Sequence, residues 1–455
     1  MVPTNPSEFE ATKTATVHSE SVTVTGAIPT GTIAAIPAKA HAHRALIAAA
    51  LADSPSSLLI AHYSEDIDAT IASLRGLGAT IEKTESGVTV TPIPENQKHG
   101  TIDAHESGTT LRLLLSVGSA ICDTTDVTAA GRLPDRPLEP LKSQLEAHGI
   151  NFSAAKPPFT ISGHLTGGLF EMVGNVSSQF FSGLLLASPK LDEDTLINST
   201  TPLQSRDYVT LTRHVMADFG VTAYTSDDGN SFTVPKGQHY RGLENYPIEG
   251  DWSNSAIWLV AAAITGQPLT ITNLQPDSTQ ADRRILDIVD CAGTTVEWQT
   301  EDGTVVKDDE LDKIKVPLRL HCEGRAIDPI TVDLEQCPDL LPVLAALACS
   351  IEGESWFING ERLRLKESDR LLAVRDLVRT LGGTAHIEGD NLYINGTGSL
   401  TGGTVTSHND HRLVMAATLM ALYSDDPITI TDSQAINKSY PLFFSHWNQL
   451  GGHAK

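Results

Sequence analysis

Cysteine is scarce in this sequence, and no two cysteines form a recognisable motif. An odd number of cysteines with no Cys-x-x-Cys pair predicts neither a disulfide framework nor a zinc site. We therefore expect a protein of the reducing cytoplasm that needs no metal. The five cysteines are Cys122, Cys291, Cys322, Cys337 and Cys349.

Positive charge and long apolar runs are also in short supply. The chain has 32 Lys and Arg against 56 Asp and Glu, which gives a formal net charge of −24. This balance argues against a nucleic-acid or membrane-surface partner. No apolar run reaches 18 residues, and the acidic Glu8 and Glu10 stand where a secretory signal would be apolar. We expect residues 1–20 to be a loose polar lead-in.

The length and the apolar content predict more than one well-packed domain. The chain has 455 residues, of which 40% are hydrophobic. A length-based prior allows two large domains or about three ordinary ones. The choice between these depends on internal repeats.

One local ending recurs along the chain: an apolar helical run stops at a glycine, and a strand-like run follows. Successive glycines of this kind are 71, 71, 73, 89 and 69 residues apart. Six such endings indicate an internal repeat of about seventy residues. The glycines are Gly78, Gly149, Gly220, Gly293, Gly382 and Gly451.

Each repeat also has a polar helix start and a second, more apolar helix. The polar residue lies 11 to 14 residues before the glycine. This is the spacing expected for a helix that begins at an N-cap acceptor and ends at a glycine. Short β-rich runs lie between the helices, which predicts a βαβαββ unit. The polar starts are Asp66, Asp135, Asp207, Asp282, Asp369 and Ser439, and the apolar helices are 44–51, 109–119, 179–187, 253–264, 340–350 and 411–422.

Six units divide naturally into two domains of three, with a break near residues 247–251. The first strand run, residues 21–28, precedes the first unit and is predicted to join the far half. The sequence thus predicts one discontinuous domain of residues 1–37 and 250–455, with units 4 to 6, and a second domain of residues 38–249, with units 1 to 3. The fold class is α/β (α+β).

The densest charge in the chain stands at one predicted strand-to-helix turn. Residues 362–370 read Arg-Leu-Arg-Leu-Lys-Glu-Ser-Asp-Arg, with six charged side chains in nine positions. Backbone N–H groups at a helix start favour an anion, and the cations around them strengthen that preference. Glu367 among these cations is a candidate for proton transfer. The alternative is a surface cluster of salt bridges.

Other polar groups fall at helix starts in the same way. Arg132 and Arg136 flank a Pro-Asp pair and are suited to clamp a carboxylate or phosphate, whereas Asp339, beside a proline, is either a helix cap or a general base. For the remaining groups, ordinary helix capping is the competing interpretation. They are Lys39 and Arg44, residues 105–112, residues 177–179, residues 205–208, residues 409–412, and Lys438.

If each set of three units surrounds a threefold axis, these helix starts converge on a cleft between two domains. An acidic protein with a cation-lined cleft is suited to small polyanions.

At this point the sequence resembles the enolpyruvyl transferases, over nearly all of the chain from about residue 22. The resemblance is carried by five motifs in order: ESGTTLR (106–112), GRLPDRP (131–137), SSQF (177–180), RLKESDR (364–370) and NDHR (409–412). It implies a two-domain inside-out α/β barrel with a cleft between the domains, which close around the substrates. We place the hinge near residues 36–40 and 247–251.

The resemblance implies transfer of the enolpyruvyl group of phosphoenolpyruvate to the 5-hydroxyl of shikimate 3-phosphate, with release of phosphate, in the shikimate pathway to aromatic amino acids. It implies a monomer that uses no cofactor. Asp339 would be the base, and Glu367 the proton donor, with Lys438 as its rival. Shikimate 3-phosphate would contact Lys39, Arg44, Ser177, Ser178, Gln179, Ser205, Tyr208, Asp339 and Lys366. Phosphoenolpyruvate would contact Lys39, Gly108, Arg132, Arg136, Gln179, Arg370, Arg412 and Lys438.

The sequence departs from the family pattern beside the first lysine. The family's Gly-Ser-Lys-Ser is Pro37-Ala38-Lys39-Ala40 here, so a hydroxyl that normally touches substrate is missing. Loss of a hydrogen bond to a charged ligand costs about 1.5–3 kcal/mol. Two alternatives therefore stand beside the main interpretation: a UDP-N-acetylglucosamine 1-carboxyvinyltransferase, whose usual loop cysteine is missing here, and a non-catalytic anion-binding relative. Gly108 favours sensitivity to glyphosate.

Overall fold

The fold has two hydrophobic cores that the chain enters in turn. A computed structural model describes residues 20–311 and 313–455, so the predicted lead-in lies, except for its last residue, outside the described part. One core is built from residues 42–248, here called the first lobe. The other is built from residues 24–36 and 252–454, here called the second lobe.

Strands are short, as expected where Val, Ile and Thr alternate between glycine, proline and aspartate breaks. The strands are β1 Ser21–Thr25, β2 Gly31–Ala34, β3 Ser56–Leu59, β4 Thr80–Lys83, β5 Gly87–Thr91, β6 His99–Asp103, β7 Thr124–Thr128, β8 Ile150–Phe152, β9 Phe159–Gly163, β10 Gly168–Met172, β11 Thr195–Ser199, β12 Tyr224–Thr225, β13 Ser231–Val234, β14 Tyr246–Pro247, β15 Leu269–Leu274, β16 Thr295–Gln299, β17 Leu318–Glu323, β18 Thr331–Asp333, β19 Gly353–Ile358, β20 Thr384–Glu388, β21 Asn391–Gly396, β22 Gly403–Thr406, β23 Ile428–Thr431 and β24 His453–Ala454.

Helices come in two kinds, and the apolar kind lies inside, as predicted from its low charge. Every residue of α10 and α12 is buried, and so is α7 up to Ile264. The helices are α1 Lys39–Ala50, α2 Glu65–Gly76, α3 Gly108–Ile121, α4 Leu141–Ala147, α5 Ser178–Ala187, α6 Arg206–Asp218, α7 Trp252–Thr265, α8 Ile285–Cys291, α9 Asp308–Leu311, α10 Leu341–Ser350, α11 Arg370–Thr380, α12 His411–Met420 and α13 Phe443–Gln449. None of the helices in the described ranges has the length and apolar content needed to span a bilayer.

The six predicted units are visible as six four-stranded sheets with one topology, within the described residues. In each sheet the first strand pairs in parallel with the second, and the remaining two pairs are antiparallel. This repetition confirms the predicted α/β fold of repeated units. The orders are β14-β3-β5-β4, β6-β7-β9-β8, β10-β11-β13-β12, β2-β15-β17-β16, β18-β19-β21-β20 and β22-β23-β1-β24.

The N-terminal strand completes the last sheet. β1 pairs antiparallel with β23, where Val22 lies opposite Ile430, and with β24. This strand therefore lies in a sheet of the second lobe, and it ends at Thr25 rather than at residue 28.

Two segments carry the chain between the lobes, and they lie side by side. Pro37 and Gly250 form an isolated antiparallel bridge. Ala38 N donates to Glu249 O at 2.8 Å, and Asp251 N donates to Ile36 O at 2.8 Å. A pair of adjacent crossings concentrates any relative rotation of the lobes at one place.

Two of the predicted helix starts are wrong. Asp369 does cap α11, since its carboxylate accepts from Leu372 N at 3.1 Å. Asp135 and Ser439, however, lie well before α4 and α13, which begin at Leu141 and Phe443. Pro137 and Pro140 stand between Asp135 and α4, and Pro441 stands between Ser439 and α13. A proline disfavours the helical backbone in the residue before it, so each α-helix begins later than predicted.

Candidate active site

A polar cavity lies between the two lobes, at the first turns of the buried helices. The cavity has a volume of about 120 Å³. α1, α3, α5 and α6 of the first lobe and α7 and α12 of the second supply lining residues. The predicted site residues that line it are Lys39, Arg44, Gly108, Arg136, Ser177, Ser178, Gln179, Ser205, Tyr208, Asp339, Lys366, Glu367, Arg370 and Arg412.

Two predicted residues, Arg132 and Lys438, are absent from this lining. Arg132 Nη1 donates to the backbone oxygen of Glu367 at 3.4 Å. Lys438 Nζ is 2.7 Å from Glu106 Oε2 and 2.7 Å from Asn409 O. Both cations therefore lie at the junction between the lobes, where they contact protein groups.

The predictions that placed Arg132, Arg136 and Lys438 at helix N-termini are wrong in detail. Arg132 and Arg136 flank the three-ten turn Leu133–Asp135, and Lys438 ends the three-ten turn Ser433–Lys438. These side chains are thus positioned by turns and by proline, without the dipole of a long helix behind them.

Asp339 is a carboxylate held between cations. Lys366 Nζ is 3.0 Å from Asp339 Oδ1, and Arg370 Nη1 donates to the same oxygen. Burial alone would raise the pKa of Asp339, but the charges of Lys366, Arg370 and Arg412 outweigh it and hold that pKa well below its usual range. Asp339 is therefore ionised and is a hydrogen-bond acceptor in this state.

Glu367, three residues before Arg370 in the chain, is held by a second group of cations. Arg370 Nη2 donates to Glu367 Oε2 at 2.7 Å, and Arg136 Nη1 is 3.5 Å from Glu367 Oε1. Burial again favours the neutral carboxyl, yet the two guanidinium groups dominate and the pKa of Glu367 lies well below its usual range. In the ligand-free protein Glu367 is a carboxylate.

Lys366 has the opposite perturbation. Burial lowers the pKa of its ammonium group from 10.5 to about 8, although the negative charge of Asp339 works against this and the positive charge of Arg370 adds to it. A lysine with such a pKa gives up or takes a proton near neutral pH.

Arg370 organises the second-lobe wall of the cavity. Its side chain is fully buried, and its Nε and Nη2 donate to the two oxygens of Asp410 at 2.8 and 3.2 Å. Asp410 in turn accepts from Ser368 Oγ at 2.9 Å and caps α12 by accepting from Arg412 N at 3.0 Å. This bidentate pairing fixes the plane of the guanidinium group.

The first-lobe wall offers hydroxyl and amide groups. Gln179 Nε2 donates to Thr109 Oγ1 at 2.8 Å, and Gln179 Oε1 accepts from Arg112 Nη1 at 3.0 Å. Ser177 caps α5, accepting weakly from Gln179 N at 3.3 Å. These bonds hold the Gln179 amide beside the N-terminal ends of α5 and α3.

Arg44 lines the cavity, but most of its N–H groups donate hydrogen bonds to other groups of the protein. Its Nε donates to Thr212 Oγ1 at 2.6 Å, Nη1 to Ala40 O at 2.7 Å, and Nη2 to Tyr208 O at 3.1 Å and Ser182 Oγ at 3.3 Å. Since a guanidinium group has five N–H bonds, one remains for a ligand.

The alanines beside Lys39 leave helix α1 without a side-chain cap of its own. Ala38 is the N-cap residue and makes no such bond. Asp251 Oδ2, from the other crossing segment, instead accepts from Lys39 N at 3.0 Å, while Asp251 Oδ1 accepts from Asn254 N at 2.7 Å. One carboxylate therefore caps α1 and α7 together. The Lys39 ammonium pairs with Asp66 at 2.7 Å.

The two histidines beside Lys39 contact protein groups. His41 Nε2 is 2.9 Å from Tyr246 Oη, and His43 Nδ1 is 2.6 Å from Thr70 Oγ1. Within residues 20–311 and 313–455, no group of three or more His, Cys, Asp or Glu side chains has the arrangement of a metal site.

Sequence reasoning missed several lining residues. Arg362, whose Nη1 donates to Ser205 Oγ at 2.9 Å, was counted among the cations of the charged stretch but not among the substrate contacts. The polar start of α7 carried the same signal as the other helix starts. The missed group is Arg112, Asp251, Ser253, Asn254, Gln280, Arg362 and His411.

Comparisons with known proteins identify a family for this chain. The family model of EPSP synthase (3-phosphoshikimate 1-carboxyvinyltransferase) matches residues 25–447. The chain is 36% identical to the 3-phosphoshikimate 1-carboxyvinyltransferase of Clostridium kluyveri, over 91% of this chain and 94% of the relative. It is 33% identical to that of Methanocorpusculum labreanum, over 92% and 96%.

The fold is also similar to a solved structure. EPSP synthase from Acinetobacter baumannii superposes with a TM-score of 0.76 and covers 96% of this chain and 99% of that chain. At 23% sequence identity, this superposition shows a likeness of fold alone.

Proposed function

This chain belongs to the EPSP synthase family, and from that membership we propose how its own side chains carry out the reaction. The enzyme is a 3-phosphoshikimate 1-carboxyvinyltransferase, which moves the enolpyruvyl group of phosphoenolpyruvate to the 5-hydroxyl of shikimate 3-phosphate and releases phosphate. The matched relatives favour this activity over the UDP-N-acetylglucosamine alternative. The single observation that carries the site assignment is the cavity between the lobes, where cations from both lobes surround Asp339 and Glu367.

Shikimate 3-phosphate takes the part of the cavity lined by α5 and α6. Its phosphate is received by the hydroxyl groups of Ser177, Ser178 and Ser205, and the charge is balanced by Lys366 and Arg362. Arg362 donates to Ser205 Oγ at 2.9 Å. Its positive charge therefore lies next to the position at which the Ser205 hydroxyl would bind the substrate's phosphate group. Proposed contacts with the remaining first-lobe groups follow the cavity wall, namely Lys39, Arg44, Gln179 and Tyr208.

Phosphoenolpyruvate takes the part between Gly108 and the starts of α11 and α12. Its phosphate and carboxylate are held by guanidinium groups of Arg136, Arg370 and Arg412. A side chain at position 108 would fill this space, because a Cβ there would lie 2.9 Å from Arg136 Nη1. Lys39, Arg132, Gln179 and Lys438 complete the proposed set.

The reaction needs one proton removed from oxygen and one added to carbon. Asp339 takes the proton of the 5-hydroxyl as that oxygen attacks C2 of phosphoenolpyruvate, and Glu367 adds a proton to C3. The Glu367 carboxylate then takes a proton from the C3 methyl group of the tetrahedral adduct as phosphate leaves C2, which restores the enol ether. The fixed cations hold two mutually repelling anions together and stabilise the departing phosphate.

Substrate binding supplies the protonation state that Glu367 needs. Arg370 and Arg136 keep its pKa low in the ligand-free state. When the anions of phosphoenolpyruvate neutralise those guanidinium groups, the burial of Glu367 again dominates and its pKa rises. Glu367 therefore becomes an acid only in the loaded site.

We also propose the domain boundaries at residues 37–38 and 249–250, with closure about the two crossing segments. The separate cores of the two lobes and the paired crossings at Pro37 and Gly250 support this. The monomeric state and the cytoplasmic location stay predictions that gel filtration and cell fractionation would check.

A phosphate-release assay tests the function directly. Phosphate should appear only when both substrates are present, and added shikimate 3-phosphate should raise the melting temperature. Release from phosphoenolpyruvate alone, or none with both substrates despite a folded protein, would contradict the proposal and favour the anion-binding alternative.

A further inference from the structure

A chain of buried hydrogen bonds lies behind the guanidinium group of Arg412. The hydroxyl of Ser253 donates to Asp282 Oδ2 and accepts from Arg412 Nη2. The backbone oxygen of Ser253 accepts from Arg412 Nη1 at 3.2 Å. All three side chains are buried, so no solvent competes for these bonds.

This arrangement decides which N–H bonds of Arg412 remain for a ligand. Each terminal nitrogen of a guanidinium group has two N–H bonds. Ser253 engages one from each, so the other two are left on the side of the cavity that Arg412 lines. Each of these two N–H bonds can donate to an oxygen of a carboxylate or phosphate. Ser253 therefore sets the direction of the donors that remain.

Asp282 in turn sets the orientation of Ser253. A serine hydroxyl has one proton to donate, and without Asp282 as its acceptor the hydroxyl of Ser253 would be free to rotate. Donation to Asp282 keeps the lone pairs of Ser253 Oγ turned toward Arg412. Asp282 thus affects the orientation of Arg412 indirectly, through Ser253.

The burial of Asp282 is not explained by packing alone. Its Oδ1 is buried and has no hydrogen-bond partner within the described residues, and such an oxygen is costly to place in a protein interior. Burial, together with the charge of Asp339, raises the pKa of Asp282 to about 6, while the positive charge of Arg412 opposes the rise. The ionised form therefore depends on Arg412.

Asp282 also meets the opposite lobe. The hydroxyl of Tyr208, on α6 of the first lobe, lies 3.4 Å from Asp282 Oδ2, which is longer than a usual hydrogen bond between oxygens. A small movement of the lobes would shorten or break this contact. Tyr208 lies on the wall proposed for shikimate 3-phosphate, whereas Arg412 lies on the wall proposed for phosphoenolpyruvate.

We propose that Asp282 is a positioning residue that aims Arg412 at phosphoenolpyruvate through Ser253 and links this aim to the shikimate 3-phosphate wall through Tyr208. The proposal rests on the proposed function, in which Arg412 binds phosphoenolpyruvate. Asp282 itself touches neither substrate.

Asp282→Asn and Ser253→Ala test the link at two points. Each should raise the KM for phosphoenolpyruvate at least about tenfold, with kcat and the KM for shikimate 3-phosphate changed less than about threefold. The KM for phosphoenolpyruvate of the double variant should be no higher than that of the more severe single variant. Both residues act on Arg412 through the same hydrogen bonds, so the two effects should not add. Ser255→Ala, a buried serine on the same helix and outside the cavity lining, is the matched control and should leave all three constants unchanged.

Arg412→Gln separates the two proposals. If Arg412→Gln leaves the KM for phosphoenolpyruvate unchanged, the assignment of Arg412 to that substrate is wrong. If it raises that KM while Ser253→Ala and Asp282→Asn do not, the assignment stands and the positioning role is overturned. A lower melting temperature with an unchanged KM would show that Asp282 serves stability alone, and Ser253→Ala decides the matter if Asp282→Asn does not fold.

Discussion

Lys438 and Glu106 form an ion pair between the two lobes, with Nζ 2.7 Å from Oε2. Glu106 precedes α3 of the first lobe, and Lys438 belongs to the second lobe. Asn409 Nδ2 donates to the same carboxylate at 3.0 Å. The lobes are therefore joined through Lys438, a residue that the family resemblance had assigned to phosphoenolpyruvate.

Removal of this fastening should favour separation of the lobes. We expect Glu106→Ala to increase the radius of gyration of the ligand-free protein in solution scattering. Shikimate 3-phosphate with a phosphoenolpyruvate analogue should bring wild type and variant to the same compact profile. Identical profiles for the two free proteins would contradict the role of this pair.

Gly108→Ala should weaken phosphoenolpyruvate binding selectively. The added Cβ would lie 2.9 Å from Arg136 Nη1, so that guanidinium group must move. We expect the KM for phosphoenolpyruvate to rise about tenfold, equivalent to about 1.4 kcal/mol, with the KM for shikimate 3-phosphate unchanged. Gly118→Ala lies on the same helix away from the cavity and should leave both constants unchanged. An equal rise for both substrates would argue for general damage to α3.

Asp339→Asn and Glu367→Gln should act on turnover more than on binding. Loss of a proton-transfer group costs about 10²- to 10⁴-fold in rate. We expect kcat to fall within that range for each variant, with the KM for phosphoenolpyruvate changed far less. Steady-state kinetics on folded variants measure this. Unchanged turnover would remove the residue from the catalytic role.

Lys366 should impose a basic limb on the pH profile. Its pKa is lowered by burial to about 8, so the ammonium form that attracts a phosphate is present below that pH and is lost above it. The kcat/KM for shikimate 3-phosphate should therefore fall as pH rises through about 8, since this ratio reports free-enzyme pKa values. Lys366→Arg stays charged and should move the limb to higher pH. A limb that stays in place would belong to another group.

Glu249, on the second crossing segment, should make stability depend on pH. Burial raises its pKa from 4.5 to about 7, and the charge of Asp251 adds to this, while hydrogen bonds from Ser278 and Gln280 oppose it. Because the folded-state pKa is the higher one, the stabilising contribution is complete below pH 4.5 and is lost as pH rises to about 7.

The variant Glu249→Gln should remove that dependence. Its free energy of unfolding relative to wild type should grow from near zero at pH 4 to at most about 3 kcal/mol above pH 7. Denaturant titrations at several pH values measure the difference. The exposed Glu244→Gln serves as the control and should show no such trend. A constant difference at all pH values would show that Glu249 is not buried as an acid.

The repeated architecture was predictable because its signals are local. An apolar helix that ends at a glycine, and a β-rich run beside it, each depend on fewer than twenty neighbouring residues, so the pattern of six units was visible without a structure. The helix starts at Gly108, Ser178 and His411 followed from the same signals. Where proline altered the local backbone, at Asp135 and Ser439, the prediction failed.

Tertiary structure alone decided which of these polar groups meet and in what protonation state. The pairing of Lys438 with Glu106 and the chain from Asp282 to Arg412 join residues more than a hundred positions apart, and local periodicity contains no information on such distances. The pKa of Glu367 is low because the charges of cations from both lobes outweigh the effect of its burial. The sequence by itself determined the elements and their cations. Packing determined the directions of the side chains, and hence the chemistry of the cavity, because hydrogen bonds and charge interactions depend on distance and angle.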